Sequence, residues 1–164
     1  MNRILKNKRV SVIGENHPEG DNYELAYQLG RYLGSSGCMV FCGGLGGVME
    51  AVSKGVQEEG GTTIGIVPSL DKKDANLHIV IPIVTGMGYA RNIIVANNGE
   101  VVIAIGGHYG TLSEIAYALN SGIPVIAMNS WDLKKEGLNL DLYHRVKTLG
   151  ELKHKLLELC RKTH

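Results

Sequence analysis

The chain has 164 residues, 44% of them hydrophobic and 20% charged, with a formal net charge of +1. A length within the ~100–200 residues of one domain predicts a single unit over 1–164, large enough for a core on both sides of a sheet. The near-neutral charge excludes a sequence-independent pull toward nucleic acid or anionic lipid, and no apolar run approaches the ~18 residues of a membrane helix. Residues 1–9 are basic, but the apolar run behind them is only 10–13 and is broken by Ser11, which predicts a first strand rather than a signal peptide. Cys38, Cys42 and Cys160 are odd in number and sparse, and Cys38 and Cys42 flank a strand-like segment with no His pair nearby. They read as small buried hydrophobes, with no disulfide framework and no metal site, in a soluble cytoplasmic protein.

In chain order, 8–13 reads as a first strand that ends in the turn-rich loop 14–20. Asp21 and Glu24 resemble a capping pair for a helix with Leu25, Ala26, Leu29 and Leu33 on one face, stopping near 34–37. A second strand over 39–42 runs into Gly43-Gly44-Leu45-Gly46-Gly47, and Val48, Ala51, Val52, Gly55 and Val56 then recur at helical spacing. The third strand is 62–67, closed by Pro68. A charged connection over 69–76 leads to a fourth strand over 77–81, ended by Pro82. A helix over 89–97 stops at Asn98-Gly99. The fifth strand, 101–105, feeds a glycine loop and a helix over 111–120. A sixth strand follows over 124–128, then a short last strand within 141–146, and a helix capped by Thr148 and Glu151 runs through Leu159. Apolar strands alternating with helices predict an α/β three-layer sandwich: a mostly parallel sheet of six to seven strands with helices on both faces.

Such sheets bind ligands beyond the carboxyl ends of their strands, where both glycine loops and the loop after the first strand lie. A helix N-terminus fed by a strand offers unpaired N–H groups and a positive dipole end, so it favours an anion, most often phosphate. Gly106-Gly107-His108-Tyr109-Gly110-Thr111 and the earlier Gly43, Gly44, Gly46 and Gly47 therefore predict one phosphate site built from two loops. Neither loop matches the dinucleotide or P-loop pattern. Thr111-Leu112-Ser113-Glu114 also fits a capping box, which gives Glu114 a purely structural reading. Glu50 is a second candidate carboxylate, for which a helix dipole is the plain alternative. Arg91 heads a helix, where a ligand anion or a paired carboxylate would offset its unfavourable interaction with the dipole, and an ordinary solvated arginine is the plain alternative. His108 and Tyr109 could contact a ligand or simply cover the loop.

Gly106-Gly107-x-x-Gly110-Thr111-x-x-Glu114, together with Arg91 and the paired-glycine loop at 43–47, resembles the LONELY GUY (LOG) phosphoribohydrolase superfamily, also labelled lysine decarboxylase-like. The stretches 43–52 and 86–92 are most similar to its molybdenum-cofactor carrier protein-like branch. The resemblance implies a Rossmann-like, cytoplasmic homodimer or higher homo-oligomer. It also implies a nucleotide-phosphate site, with Gly14 and Asn92 as further ligand contacts. By resemblance, Arg91 and Glu114 are the catalytic pair that hydrolyses the N-glycosidic bond of a nucleoside 5′-monophosphate to base and ribose 5-phosphate, with no cofactor required. The chain departs from the LOG pattern at Ile105, where proline stands, and at Asn92, where lysine stands. The alternative is a carrier that holds molybdenum cofactor or another nucleotide-like phosphate ligand without turnover. A Glu114 carboxylate bonded to the Thr111 N–H and turned from the cleft would favour it. Pyridoxal phosphate is not expected, because Lys54 and the other lysines stand in no context for it, and the near-neutral composition argues against nucleic acid as a partner.

Overall fold

The computed structural model describes residues 3–162. Its elements in order are β1 (Arg9–Gly14), α1 (Asn22–Ser35), β2 (Met39–Cys42), α2 (Val48–Glu58), β3 (Thr62–Val67), β4 (Ile81–Val84), α3 (Asn92–Asn98), β5 (Val101–Ile105), α4 (Tyr109–Asn120), β6 (Val125–Met128), β7 (Tyr143–Val146) and α5 (Leu149–Lys162). Single 3-10 turns occur at Lys72–Asp74 and Gly88–Arg91. The seven strands form one parallel sheet in the order β4-β3-β2-β1-β5-β6-β7, so this is a Rossmann-like three-layer α/β fold. The order reverses at β1, which pairs with β2 on one side and β5 on the other. That places the switch-point crevice beyond the carboxyl ends of these strands.

The central strands are apolar on both faces because both faces are covered. One core gathers Val10, Val12, Val40, Ile103 and Ile105 with Leu29 and Leu33 of α1, Val52 of α2 and Leu152 of α5. The other gathers Ile13, Ile64, Ile66, Val102 and Ala104 with Val95 of α3 and Ile115 of α4. Each fully buried Val, Leu or Ile among them contributes roughly 1.5–3 kcal/mol over an exposed one. α1 and α2 cross so closely that a Cβ on Gly30 would collide with the Val52 carbonyl, and one on Gly55 with the Tyr27 carbonyl.

Four local expectations need correction. The fourth strand lies at 81–84 and not 77–81, with Pro82 inside it. The Thr85 N–H donates to the Val67 carbonyl, and the register pairs Val67 with Val84, so the odd positions of β4 face β3 and Pro82 faces the open edge. A proline there removes no ladder donor. Asp21 makes no side-chain cap, and Glu24 instead accepts from Gln28 Nε2 at 2.7 Å. The helix expected over 89–97 is a 3-10 turn through Arg91 followed by the two-turn α3. α4 begins at Tyr109, two residues before Thr111, so Thr111 lies inside the helix and no capping box forms with Glu114. The pattern does operate at α5, where the Glu151 N–H donates to Thr148 Oγ1 (3.1 Å) and Glu151 accepts from the Lys147 N–H (2.7 Å). Cys38, Cys42 and Cys160 are free and buried, burial raising the Cys38 thiol to about 12, which fits inert packing.

Candidate ligand cleft

A cleft of about 310 Å³ opens at the switch point, within the usual ~300–1,000 Å³ of small-molecule sites. Its walls come from four places: the loop after β1, the first glycine loop, the 3-10 turn leading into α3, and the start of α4. Gly14, Gly43, Arg91, Asn92, His108, Gly110, Thr111 and Glu114 all line it, so the sequence candidates converge on one space. Gly44, Gly46, Gly47, Gly106, Gly107 and Tyr109 shape the loops without lining the cleft. Glu50 is not in the lining either, and it accepts from the Tyr23 hydroxyl at 3.4 Å on the outer side of α2. Among the described residues there is no group of three or more His, Cys, Asp or Glu side chains able to hold a metal. No described helix is long and apolar enough to cross a membrane.

The glycines divide into two kinds. Most serve the protein's own backbone: Gly44, Gly47, Gly106 and Gly107 take positive φ, and a Cβ on Gly106 would lie 2.7 Å from both Glu15 Oε1 and Asn22 Nδ2. Gly43 would press a Cβ to 2.7 Å from Arg91 Nη2. At Gly110 the nearest neighbour is Asn92 Nδ2 at 3.9 Å, and at Gly46 it is Asn16 at 3.9 Å, without a positive φ at either. Internal packing does not demand glycine at those two positions, and at Gly110 the open space is the cleft. The N–H groups of Tyr109, Gly110 and Thr111 precede the first helical hydrogen bond of α4, from the Leu112 N–H to the His108 carbonyl, so the helix itself supplies them no acceptor.

Glu15, which the sequence pattern did not single out, fastens this arrangement. Its carboxylate accepts from the Gly107 N–H (2.8 Å), the Glu19 N–H (2.9 Å) and Asn22 Nδ2 (3.0 Å). Asn22 Oδ1 in turn accepts from Asn129 Nδ2 at 2.9 Å, so loops after β1, β5 and β6 are tied together. Burial works against the charge of Glu15, but the hydrogen bonds from Asn22, Gly107 and Glu19 outweigh it and hold its pKa below the ordinary value. The Gly107 N–H is thereby taken and is not a free phosphate donor. The Glu15 carbonyl also accepts from the Val48 N–H at 3.0 Å, which seats α2 against the same loop.

Arg91 is 6% exposed and bonded to the protein on three nitrogens. Nε donates to the Ile66 carbonyl (2.7 Å), Nη2 to the Gly43 carbonyl (3.3 Å) and Nη1 to Asn92 Oδ1. Burial lowers its pKa, and the nearby Glu114 partly restores it. Asn92 Nδ2 reaches Ser113 Oγ at 3.0 Å, so Asn92 links Arg91 to α4, a structural use for asparagine where the LOG pattern has lysine. Glu114 is 6% exposed at the cleft. Neither an ion pair nor a hydrogen bond with a described residue satisfies its carboxylate. Burial raises its pKa from an ordinary 4.5 to about 8, against the opposing pull of Arg91. Tyr109 is 81% exposed and sits 5.9 Å from the Trp131 ring, and Trp131 Nε1 donates to the His108 carbonyl at 3.1 Å, bracing the rim.

Comparison with known proteins places this geometry. An uncharacterised protein of Archaeoglobus fulgidus is 41% identical over 125 residues, 76% of this chain and 82% of that one. The molybdenum cofactor binding protein from the phototrophic bacterium Rippkaea orientalis is 33% identical with a TM-score of 0.85, covering 94% of this chain and 98% of its own. The Moco carrier protein from Chlamydomonas reinhardtii is 29% identical with a TM-score of 0.85, covering 96% and 99%. These likenesses support the superfamily and its carrier branch rather than any particular LOG enzyme. The model of the SLOG cluster4 family matches residues 7–154, and the chain belongs to that family.

Proposed function

We propose that the chain is a binding or carrier protein for a phosphate-bearing, nucleotide-like ligand, with molybdenum cofactor as its leading cargo. The carrying observation is the state of Arg91. Its guanidinium is buried and engaged by the Ile66 and Gly43 carbonyls and by Asn92, so it braces the cleft wall. Three of its five N–H donors are spent on this bracing, and the two left at the cleft suit holding an anionic cargo. The likeness to the Rippkaea and Chlamydomonas proteins supports the same reading. In it, the first-turn N–H groups of α4 hold the phosphate beside Gly110. Glu114, neutral at pH 7, offers one donor and one acceptor to the polar edge of the cargo.

One observation favours hydrolysis as a second reading: Glu114 is a buried, unpartnered carboxyl at the cleft, with a pKa suited to general acid–base work. Incubation with AMP, GMP, CMP and UMP, assayed for free base, separates the two. The carrier reading predicts no base release, and a melt raised by molybdenum cofactor, by roughly 2.7 kcal/mol at ~100 times Kd. Base release that is lost in both Glu114→Gln and Arg91→Ala would establish hydrolysis instead.

A further inference from the structure

A nucleotide-like cargo carries a flat ring as well as a phosphate, and the two ends need different partners. In the carrier reading the first turn of α4 holds the phosphate. For a ring, the cleft offers an apolar floor: Ile13 from β1, Leu45 from the first glycine loop and Met49 from α2. Ile13 and Met49 are 1% and 7% exposed, so packing fixes them in place. Among the described residues that line the cleft, Tyr89 alone supplies a benzene ring, and it is 86% exposed. An aromatic side chain stabilises a fold mainly through the roughly 150–250 Å² it buries, so a ring left in water adds little to this one.

The backbone beneath that ring is, by contrast, well held. The Thr85 and Gly86 N–H groups donate to the Val67 and Ser69 carbonyls at 3.1 and 2.9 Å, and the Gly88 N–H donates to the Pro68 carbonyl at 3.0 Å. Gly88 takes φ +56° with nothing within 4 Å of a Cβ position, so the turn itself, and not crowding, calls for glycine there. The Tyr89 hydroxyl interacts electrostatically with the Arg91 guanidinium, which sets the ring on the cleft side of the turn. Tyr109 is nearly as exposed, but it is outside the lining and its ring already faces Trp131 at 5.9 Å.

We propose that Tyr89 is the ring-binding residue of the cleft, stacking its phenol on one face of the cargo's flat heteroaromatic ring while Ile13, Leu45 and Met49 take the other. This role rests on the carrier reading and adds to it the group that separates ring-bearing phosphates from ringless ones. Every heteroaromatic ring has a π face, so a phenol accepts pterin and purine alike and leaves the choice between them to polar groups such as Glu114. Tyrosine suits the task, because it brings a large rigid surface with only two side-chain torsions to fix. A held backbone under a free ring is the arrangement such a clamp needs.

Titration calorimetry of the full chain with molybdenum cofactor, GMP and ribose 5-phosphate tests this. Tyr89→Ala should weaken the two ring-bearing ligands by about 5- to 150-fold and change ribose 5-phosphate by less than about twofold. Tyr89→Phe, which keeps the ring, should bind all three as the wild type does, and neither exposed-site change should move the melting temperature. In protein labelled with 3-fluorotyrosine, the Tyr89 resonance, assigned by its loss in Tyr89→Phe, should shift on adding GMP and stay in place on adding ribose 5-phosphate. A purely structural tyrosine would not give that difference. If the wild type binds either ring-bearing ligand, a Tyr89→Ala that binds it as tightly, or a Tyr89→Phe that binds it as weakly as the alanine variant, overturns this role and leaves the carrier reading standing. A wild type that binds none of the three ligands overturns the carrier reading itself.

Discussion

Replacing Glu114 by Gln isolates the energetic cost of burying a carboxyl in the cleft. Its pKa rises from 4.5 unfolded to about 8 folded, burial being the largest cause. A raised folded pKa means that the native state holds the proton over this window while the unfolded chain releases it. Stability therefore falls as pH rises from about 4.5 toward 8, and levels off above. At ~1.4 kcal/mol per pH unit the full effect is on the order of 4–5 kcal/mol, of which about 2–3 kcal/mol is lost between pH 6 and pH 9. Glutamine has the same shape and carries no charge, so Glu114→Gln should be flatter across this range and more stable than wild type at pH 9. Urea unfolding at pH 6, 7, 8 and 9 reads the difference directly. Parallel profiles for the two proteins would refute the buried, unpartnered carboxyl, and with it the donor–acceptor role given to Glu114.

Three further outcomes follow from the geometry. Gly107→Ala, at φ +105° and with Thr111 filling the Cβ position, should lower the melting temperature by several degrees, whereas Gly110→Ala should leave it nearly unchanged and weaken ligand binding. Glu15→Gln should cost about 2 kcal/mol at neutral pH by weakening three hydrogen bonds to a charged acceptor. Because the pKa of Glu15 is depressed, its contribution is present above the unfolded carboxylate pKa and fades as pH falls through the folded one, so the two proteins should converge in acid. Gly30→Val, which forces a side chain into the Val52 carbonyl at the α1–α2 crossing, should abolish soluble expression, whereas Gly122→Ala, in open space but at φ +72°, should cost only about 1–2 kcal/mol in a urea melt.

The sheet was legible where apolar runs are bounded by glycine and proline, as at 39–42, 62–67 and 101–105. It was misread at β4, because proline ends a central strand but not an edge strand whose outer side needs no donor. The Thr111–Glu114 pattern suggested a cap, yet Gly106 and Gly107, both at positive φ, turn the chain into the helix two residues sooner and leave Glu114 at the cleft. The residue pattern alone gives Arg91 and Glu114 both a structural and a ligand-facing reading, family resemblance adds a catalytic one, and the fold brings both to one cleft, while Glu50 lies outside it. Glu15 carried no local signal, since its partner Gly107 is 92 residues away and the bond exists only once β1 and β5 are paired. Tertiary closure of this kind leaves no periodicity to read.

A carrier holds its phosphate-bearing cargo beside Gly110 without turnover. The most direct test is to incubate the purified protein with molybdenum cofactor, remove free ligand by gel filtration, and measure molybdenum and pterin in the protein peak for wild type and Gly110→Leu. Both should co-elute in fixed proportion with the wild type and be lost from an equally stable Gly110→Leu. Retention undiminished in that variant would contradict the site, and a wild type that retains neither while releasing base from a nucleoside monophosphate would contradict the function.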